Sequence, residues 1–495
     1  MRVPAFRLCA FVFAVIPAAL ACNGGGGTEP LLSSPGIRFV AGVNVADTIN
    51  TVLAQALTVE VRDQSGATAS GAVVRFESVP ITSGSDYPFG YYGGVEAYVS
   101  RLDQQGRGTF AADTTDAAGR ARAIVALGTK AGLARIVVSV PAYAFADTAE
   151  FTVRPGNAAK ITLKVRDTLA IVGNSYTIGA AVSDLYGNPR SSDAVTYASL
   201  SDVVNVDGAG VVKALSSGRG RIVVHAGSSY ADTAKITVVP DGTLAVVTAS
   251  GGTRYIATVK LDGSQLTPLT PISSTVLLPR WNHAGTRIAF YERDPSSDAA
   301  MYEVDLQKNR TQLVPVTDPR TQFFPRYSND GQWVYFNGLT QSFGFSAWRA
   351  HSDGTGLEQI GSAPSTNYWE PSPSPDGSLL AFVANGILST LTLSTGTISS
   401  LGVAASLPEY SPDGTRIAFR MSTGQLGIIS ANGGSVTAIS GSSFYDEYTA
   451  PSWSSDGKWI VIGGNFSVPD LVNVTTREVL PLTGMRNATQ PAFKP

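Results

Sequence analysis

The chain has 495 residues, with 36 Lys and Arg against 38 Asp and Glu for a net charge of −2. Charges this balanced and scattered offer no basic face to a phosphate backbone, which argues against nucleic-acid binding. With 51 Gly, 28 Pro, only 4 Met and no long apolar stretch of helical period, the chain reads as all-β and rich in turns, long enough for several domains.

Residues 1–21 read as an export signal. Arg2 and Arg7 supply positive charge, Leu8–Leu20 is an apolar run too short to span a membrane, and Ala19-Leu20-Ala21 supplies small residues at a cleavage point. Cys22 comes directly after Ala21. Cys9 is lost with the signal, so Cys22 has no partner for a disulfide. This arrangement resembles a bacterial lipoprotein signal, which implies acylation of the Cys22 thiol and a membrane partner reached through lipid. Residues 22–35, with Gly24–Gly27, then form a flexible tether. The order Ala19-Leu20 departs from the commonest lipoprotein pattern, so plain secretion after Ala21 is the alternative. Asn23 favours sorting to the outer membrane if enteric rules apply, on either its periplasmic or its outer side.

Residues 36–155 carry short alternating strands such as Leu57–Asp63, Ala72–Glu77 and Ala134–Val140, with turn signals every 8–12 residues, as in a β-sandwich. The phrases ending at Gly66, Gly119 and Gly132 resemble bacterial Ig-like domains of the invasin/intimin type. An insertion near residues 80–110 adds Tyr87, Phe89, Tyr91 and Tyr92. Residues 156–240 resemble the second common bacterial Ig-like group, through Ile161–Val165, Ala180–Asn188, Val195–Ser199, Gly210–Leu215 and Ile236–Val239. Neither domain has a cysteine pair, so packing alone must hold each together. Val239-Pro240-Asp241-Gly242 makes a short, stiff junction to the C-terminal half of the chain.

From residue 241 onward one phrase recurs, opening at Pro279, Pro325, Pro371, Pro408 and Pro451, with a truncated copy at Pro491; successive openings are 46, 46, 37, 43 and 40 residues apart. Each full copy places an aromatic or Ser-Pro pair two to four residues after the proline, then a polar corner centred on Asp-Gly in four of the five, then an alternating apolar run. Asp caps the corner through its own side chain while Gly supplies positive φ, which marks a hairpin. Two more short strands complete a unit of four, at the period of a β-propeller blade. The phrase resembles the WD40-like repeat of TolB-type propellers over residues 241–495.

The strands at Leu244–Ala249, Arg254–Asp262 and Leu266–Leu269 lack an inner partner, and Gln490–Pro495 is an inner strand without a blade. Joining them leaves no open sheet edge. The expected fold is therefore all-β: two Ig-like β-sandwiches followed by a six-bladed β-propeller closed by the C-terminal strand.

Chemistry is sparse. His225, His283 and His351 are the only histidines, and none has the spacing of a metal site; no Gly-x-Ser-x-Gly elbow occurs. No catalytic residue, metal ligand or cofactor is assigned. Asp330, Asp376, Asp413 and Asp456 recur at one corner position and read as turn caps instead of a ring of cation ligands. Arg280, Arg326 and Glu409 lie beside the inner-strand aromatics, where they either border a central channel or pair locally.

One asymmetry suggests a binding surface. Loops expected on the face opposite the Asp-Gly corners carry Phe323, Phe324, Phe343, Phe345, Trp348, Tyr368, Trp369, Phe444, Tyr445 and Tyr448. Rings interleaved with acids are what a protein or glycan partner buries. The alternative for each ring is a place in the wedges between blades, which Trp281, Tyr327, Tyr410 and Trp453 must fill. The expectation is a non-enzymatic cell-envelope lipoprotein that docks an envelope or extracellular protein or glycan. TolB pairs its propeller with a different N-terminal domain, which separates this chain from that transport system. The alternatives are a propeller enzyme acting on sugar acids, for which three dispersed histidines are few, and a structural spacer.

Overall fold

The computed structural model describes residues 34–79, 97–104, 106–227, 230–250, 253–272, 276–293, 300–315, 321–339, 345–360, 368–444, 448–463 and 468–495. The expected signal, Cys22, most of the tether and the ring-rich part of the insertion, from Tyr87 to Tyr92, lie outside them. Among the described residues, no helix is long and apolar enough to cross a membrane. The chain divides into two compact units, residues 1–157 with 186–188, and the remainder.

In the first unit, two sheets face each other. One orders Gly36–Ala41, Leu57–Arg62, Arg120–Leu127 and Ala97–Ser100; the other orders Ala46–Thr48, Phe145–Arg154, Gly132–Val140, Val73–Ser78 and Phe110–Thr114. Strict alternation along Val73–Ser78 turns Val74, Phe76 and Ser78 inward and Val73, Arg75 and Glu77 outward. Phe76, Phe151, Ile136, Leu57 and Leu127 meet in one core drawn from both sheets. Truncating a ring so placed, Phe76→Ala, costs about 3–5 kcal/mol by the usual cavity penalty.

The second unit opens with a smaller β layer pair. Asp167–Ile171, Tyr230–Val239, Gly218–Ala226 and Val195–Ser199 form its main sheet, and its core gathers Ile178, Val182, Val212, Ile222, Val224 and Ile236. Ile171 and Val239 belong to the next core, with Leu244, Leu480 and Leu482. Arg219 ties the same junction by donating from Nη2 to the Val479 carbonyl at 2.8 Å, with Glu478 3.3 Å from its Nε.

From Thr243 onward the chain folds into consecutive antiparallel meanders. The first sheet joins Thr267–Pro268, Thr253–Lys260, Thr243–Ser250 and, from the far end of the chain, Ala488–Phe493. Leu244 pairs with Phe493, Ala245 with Ala492 and Thr248 with Ala488. The second sheet runs Val276–Trp281, Arg287–Glu292, Ala300–Asp305, Arg310–Gln312; the third runs Thr321–Tyr327, Trp333–Leu339, Phe345–His351, Glu358–Ile360. A seven-stranded sheet comprises the fourth and fifth meanders, which begin at Tyr368–Pro373 and end at Thr437–Ile439 and share the long strand Thr397–Tyr410. The last holds Ser452–Trp453, Trp459–Ile462, Asp470–Asn473 and Val479–Pro481.

At each junction between neighbouring meanders an apolar cluster draws on both. Trp281 packs with Val247 and Ile256, Val334 with Met301, Leu380 with Tyr335, Ile417 with Leu388, and Trp453 with Leu426. Val461 and Leu480 of the last meander then pack with Leu244 and Val246 of the first. The sequence of interfaces returns to its start, so the meanders form a closed ring.

The corners show why Asp recurs. Asp413 Oδ1 accepts from Ser411 Oγ at 2.5 Å and from Thr415 N at 3.0 Å, while Ser411 Oγ accepts the Arg416 N–H at 3.0 Å. The same pattern holds at Asp330, Asp376 and Asp456, and Gly331, Gly377, Gly414 and Gly457 take φ of 65–71°. These carboxylates serve their own turns, as expected. In the first copy Ala284 stands where the others have Asp, and Asn282, at the serine position, caps the turn instead: its Oδ1 accepts from Thr286 N and Arg287 N, both at 2.9 Å.

Candidate functional site

The site lies where the repeat prolines fall. Proline disfavours right-handed helical geometry in the residue before it, and the inner strands respond with a bulge at that point. Pairing shifts register between Leu277 and Arg280, Phe323 and Arg326, Trp369 and Ser372, and Ser406 and Glu409. The residue before the proline adopts positive φ in five copies: Leu278 58°, Phe324 57°, Glu370 60°, Leu407 57° and Gln490 52°. Left-handed geometry costs a non-glycine residue roughly 1–2 kcal/mol, so packing must hold these positions.

That packing occurs at the centre of the ring. Leu278, Phe324, Leu407 and Ala450, each immediately before a repeat proline and from different meanders, form one buried cluster. Residues from separate meanders meet this way only at the axis, where they make an apolar constriction. Polar neighbours complete it: Gln490 Oε1 accepts the Leu278 N–H at 2.7 Å, and the Glu370 carboxylate accepts the Leu407 N–H. Burial pushes the Glu370 carboxyl up to about 7, against the opposing pull of that N–H and of Arg326 and Arg420.

On one side of the constriction opens an apolar cleft of about 760 Å³, lined by Leu277, Phe323, Trp369, Glu370, Arg420 and Tyr448 among others. Its rings touch one another: Phe345 and Trp369 centroids lie 4.2 Å apart, Phe323 and Phe345 5.3 Å, and Phe323 and Trp369 6.2 Å. Tyr448 is 52% exposed. Arg420 Nε is buried without a hydrogen-bond partner among the described residues.

The expected binding face is thus assembled in part. Phe323, Phe324, Trp369 and Tyr448 line the cleft and Phe345 backs it, although all except Tyr448 lie on strands instead of loops. Two rings belong elsewhere. Phe444 is buried in the wedge between the fifth and last meanders, against Leu426 and Trp453, and Trp348 packs between the second and third against Met301 and Phe336. Phe343 and Tyr445 lie outside the described residues, as does the side chain of Tyr368. Sequence reasoning missed Leu277, Leu278, Tyr291 and Arg420; the place of Leu278 before a repeat proline was its available signal.

On the other side, residues just after the prolines line a cavity of about 380 Å³: Arg280, Arg326, Ser372, Glu409, Ser452 and Ala492, with Trp281 and Tyr410 beside them. Arg326 Nε donates to Glu409 Oε2 at 2.6 Å. These charged residues border the channel, and the one ion pair they form, Arg326 with Glu409, crosses it instead of being local. His283 lines the exposed rim. His225 projects outward from its alternating strand, and His351 stacks on Trp333 at 4.0 Å.

No family model matches the chain. It is similar to an uncharacterized protein of Agrobacterium fabrum (strain C58), 38% identical over 60 residues, which are 12% of this chain and 20% of that protein. The matched segment therefore spans about a fifth of that relative's length. Among solved structures it is similar to TolB from Acinetobacter baumannii, 16% identical with a TM-score of 0.44 over 62% of this chain and 84% of that one. It is also similar to a chain of a nidogen/laminin complex, 11% identical with a TM-score of 0.41 over 51% and 99%. A third is an oligogalacturonate lyase in complex with manganese, 15% identical with a TM-score of 0.32 over 49% and 72%. The closed ring of four-stranded meanders between Thr243 and Phe493 makes this part of the chain a β-propeller.

Proposed function

We propose that this chain is a non-enzymatic cell-envelope lipoprotein. In this reading Cys22 carries lipid, Ig-like sandwiches at residues 36–155 and 156–240 act as spacers, and a six-bladed propeller at 241–495 docks a protein or glycan partner. The observation that carries the docking function is the cleft where Phe323, Phe345 and Trp369 contact one another beside exposed Tyr448 and the unpartnered Arg420 Nε. Trp, Tyr and Arg around a partly desolvated hollow are the groups that dominate binding energy when a partner covers them. An apolar mouth of this size on a folded domain gains free energy from being covered.

Photo-crosslinking in the native cell envelope tests the reading. A benzophenone amino acid at Tyr448 is expected to give a discrete adduct, sensitive to protease for a protein or to glycosidase for a glycan, that Trp369→Ala abolishes. No adduct at Tyr448, or one unaffected by Trp369→Ala, overturns it. The anchor is tested separately by mass spectrometry of the N-terminal peptide: acylated Cys22 supports it, and an unmodified terminus after Ala21 contradicts it.

A further inference from the structure

The cavity on the corner side of the constriction holds more positive charge and more unused donors than its own structure needs. Arg280 is only 6% exposed, and among the described residues it forms no ion pair. Its Nη1 donates to the Pro279 carbonyl at 2.9 Å and its Nη2 to the Ala450 carbonyl at 3.2 Å, while Nε is buried with no partner among the described residues. A guanidinium has five N–H donors, and an unmatched one in a dry site is costly. Burial and the charge of Arg326 pull the Arg280 pKa down to about 9, with Glu409 opposing, so the group remains cationic at neutral pH.

Two further lining residues repeat the pattern. Trp281 and Tyr410, 7% and 6% exposed, leave Nε1 and the phenolic oxygen buried and, among the described residues, unpartnered. Ser372 Oγ accepts the Tyr410 N–H at 3.1 Å and Ser452 Oγ accepts the Phe493 N–H at 3.0 Å, which leaves both hydroxyl protons free to donate. Lys494 lies over the Trp281 ring, 5.4 Å from its centroid, and adds positive potential nearby. A cavity lined by so many donors, with one cation lacking a counter-charge, is complementary to an anion.

We infer that this cavity is a binding site for a single carboxylate group, held by Arg280 together with donors from Ser372, Ser452, Trp281 or Tyr410. Charge selects the class. Of the charged side chains that line the cavity, Glu409 neutralises Arg326 at 2.6 Å and Arg280 is left, so the lining itself keeps one positive charge, which a monoanion balances and a phosphate dianion would exceed against Glu409, with Lys494 outside the lining. The carboxylate enters from the face of the Asp-Gly corners, so this site is separate from the aromatic cleft and does not depend on the function proposed for it.

The test uses the full chain purified in detergent and tryptophan fluorescence, because Trp281 and Trp453 line the cavity. N-acetyl-glycylglycine is compared with its C-terminal amide, D-glucuronate with its methyl ester, and both acids with inorganic phosphate. The expected result is saturable binding of at least one acid, tenfold or more tighter than its neutral analogue and than phosphate. Response to the peptide acid assigns a protein-borne carboxylate, and response to glucuronate an acidic glycan; either supports the site. Arg280→Met is expected to weaken binding at least tenfold with no fall in melting temperature, since an unpaired buried charge is removed. If that variant does not fold, Arg280→Lys, which keeps charge but loses the fork, is expected to weaken binding several-fold. Equal binding of acids and neutral analogues, no saturable binding of either acid, tighter binding of phosphate, or wild-type affinity in a folded Arg280 variant overturns the inference.

Discussion

Arg326 Nε bonds Glu409 Oε2 at 2.6 Å although the two lie 83 positions apart, on the inner strands of the third and fifth meanders. The contact requires the ring to bring these strands to a common axis, and it leaves Arg280 as the uncompensated cation there. Side-chain exposure of 7% and 20% makes this a largely buried pair.

Removing one partner of such a pair is worse than removing both, because a charge is left in a dry site. Glu409→Gln leaves Arg280 and Arg326 facing each other and is expected to cost about 2–4 kcal/mol, discounted for the partial exposure of the carboxylate. Adding Arg280→Met to Glu409→Gln should recover part of the loss. Urea unfolding of the single and double variants measures both effects, and additive losses would contradict the shared electrostatics.

Glu370 makes stability depend on pH. Its folded pKa of about 7 lies above the ordinary value of 4.5, so its contribution is fully present below about 4.5 and is lost as pH rises through 7. The linkage amounts to about 3 kcal/mol. Asp470, raised to about 6 by burial, acts with the same sign. Glu370→Gln keeps an acceptor for the Leu407 N–H and cannot ionise. It is expected to lie within about 1 kcal/mol of wild type at pH 5 and to be more stable at pH 8 by about 3 kcal/mol. Denaturation at the two pH values checks this, and a parallel shift at both would contradict it.

The corners respond in the opposite direction. The Ser411 hydroxyl holds the Asp413 carboxyl down at about 2, so the stability it supplies is present above the ordinary 3.8 and disappears as pH falls through 2. Asp413→Ala is expected to cost about 1 kcal/mol at pH 6, because the carboxylate is largely exposed and its bonds are screened. Near pH 2 the difference from wild type should vanish. A cost independent of pH would mean that the side chain acts by shape alone.

Features set by short-range chemistry were legible in the sequence. The proline period, the Asp-Gly corners, the wedge-filling Trp281, Tyr327, Tyr410 and Trp453, and the strand left over at the C-terminus all follow from turn geometry and alternation. The constriction was not legible. Leu278, Phe324, Glu370, Leu407 and Gln490 share no side-chain property, and what unites them is a backbone bulge that turns each toward the axis. Trp348 and Phe444 were grouped with a binding face because nothing in local sequence tells a ring at the end of a strand from one in a loop. Only packing against the neighbouring meander decides it. Likewise, the missing counter-charge of Arg280 appears only once the ring sets Arg326 and Glu409 beside each other.

Both mouths of the channel exist only if the ring is closed by its last strand, and backbone hydrogen exchange on the full chain reads that closure directly. Amides of residues 488–493, apart from Pro491, which has none, are expected to exchange as slowly as those of Thr243–Ser250, since the two strands share one ladder. Exchange of residues 488–493 at the rate of an unstructured peptide, with Thr243–Ser250 still protected, would contradict the closed ring and remove the basis for both sites.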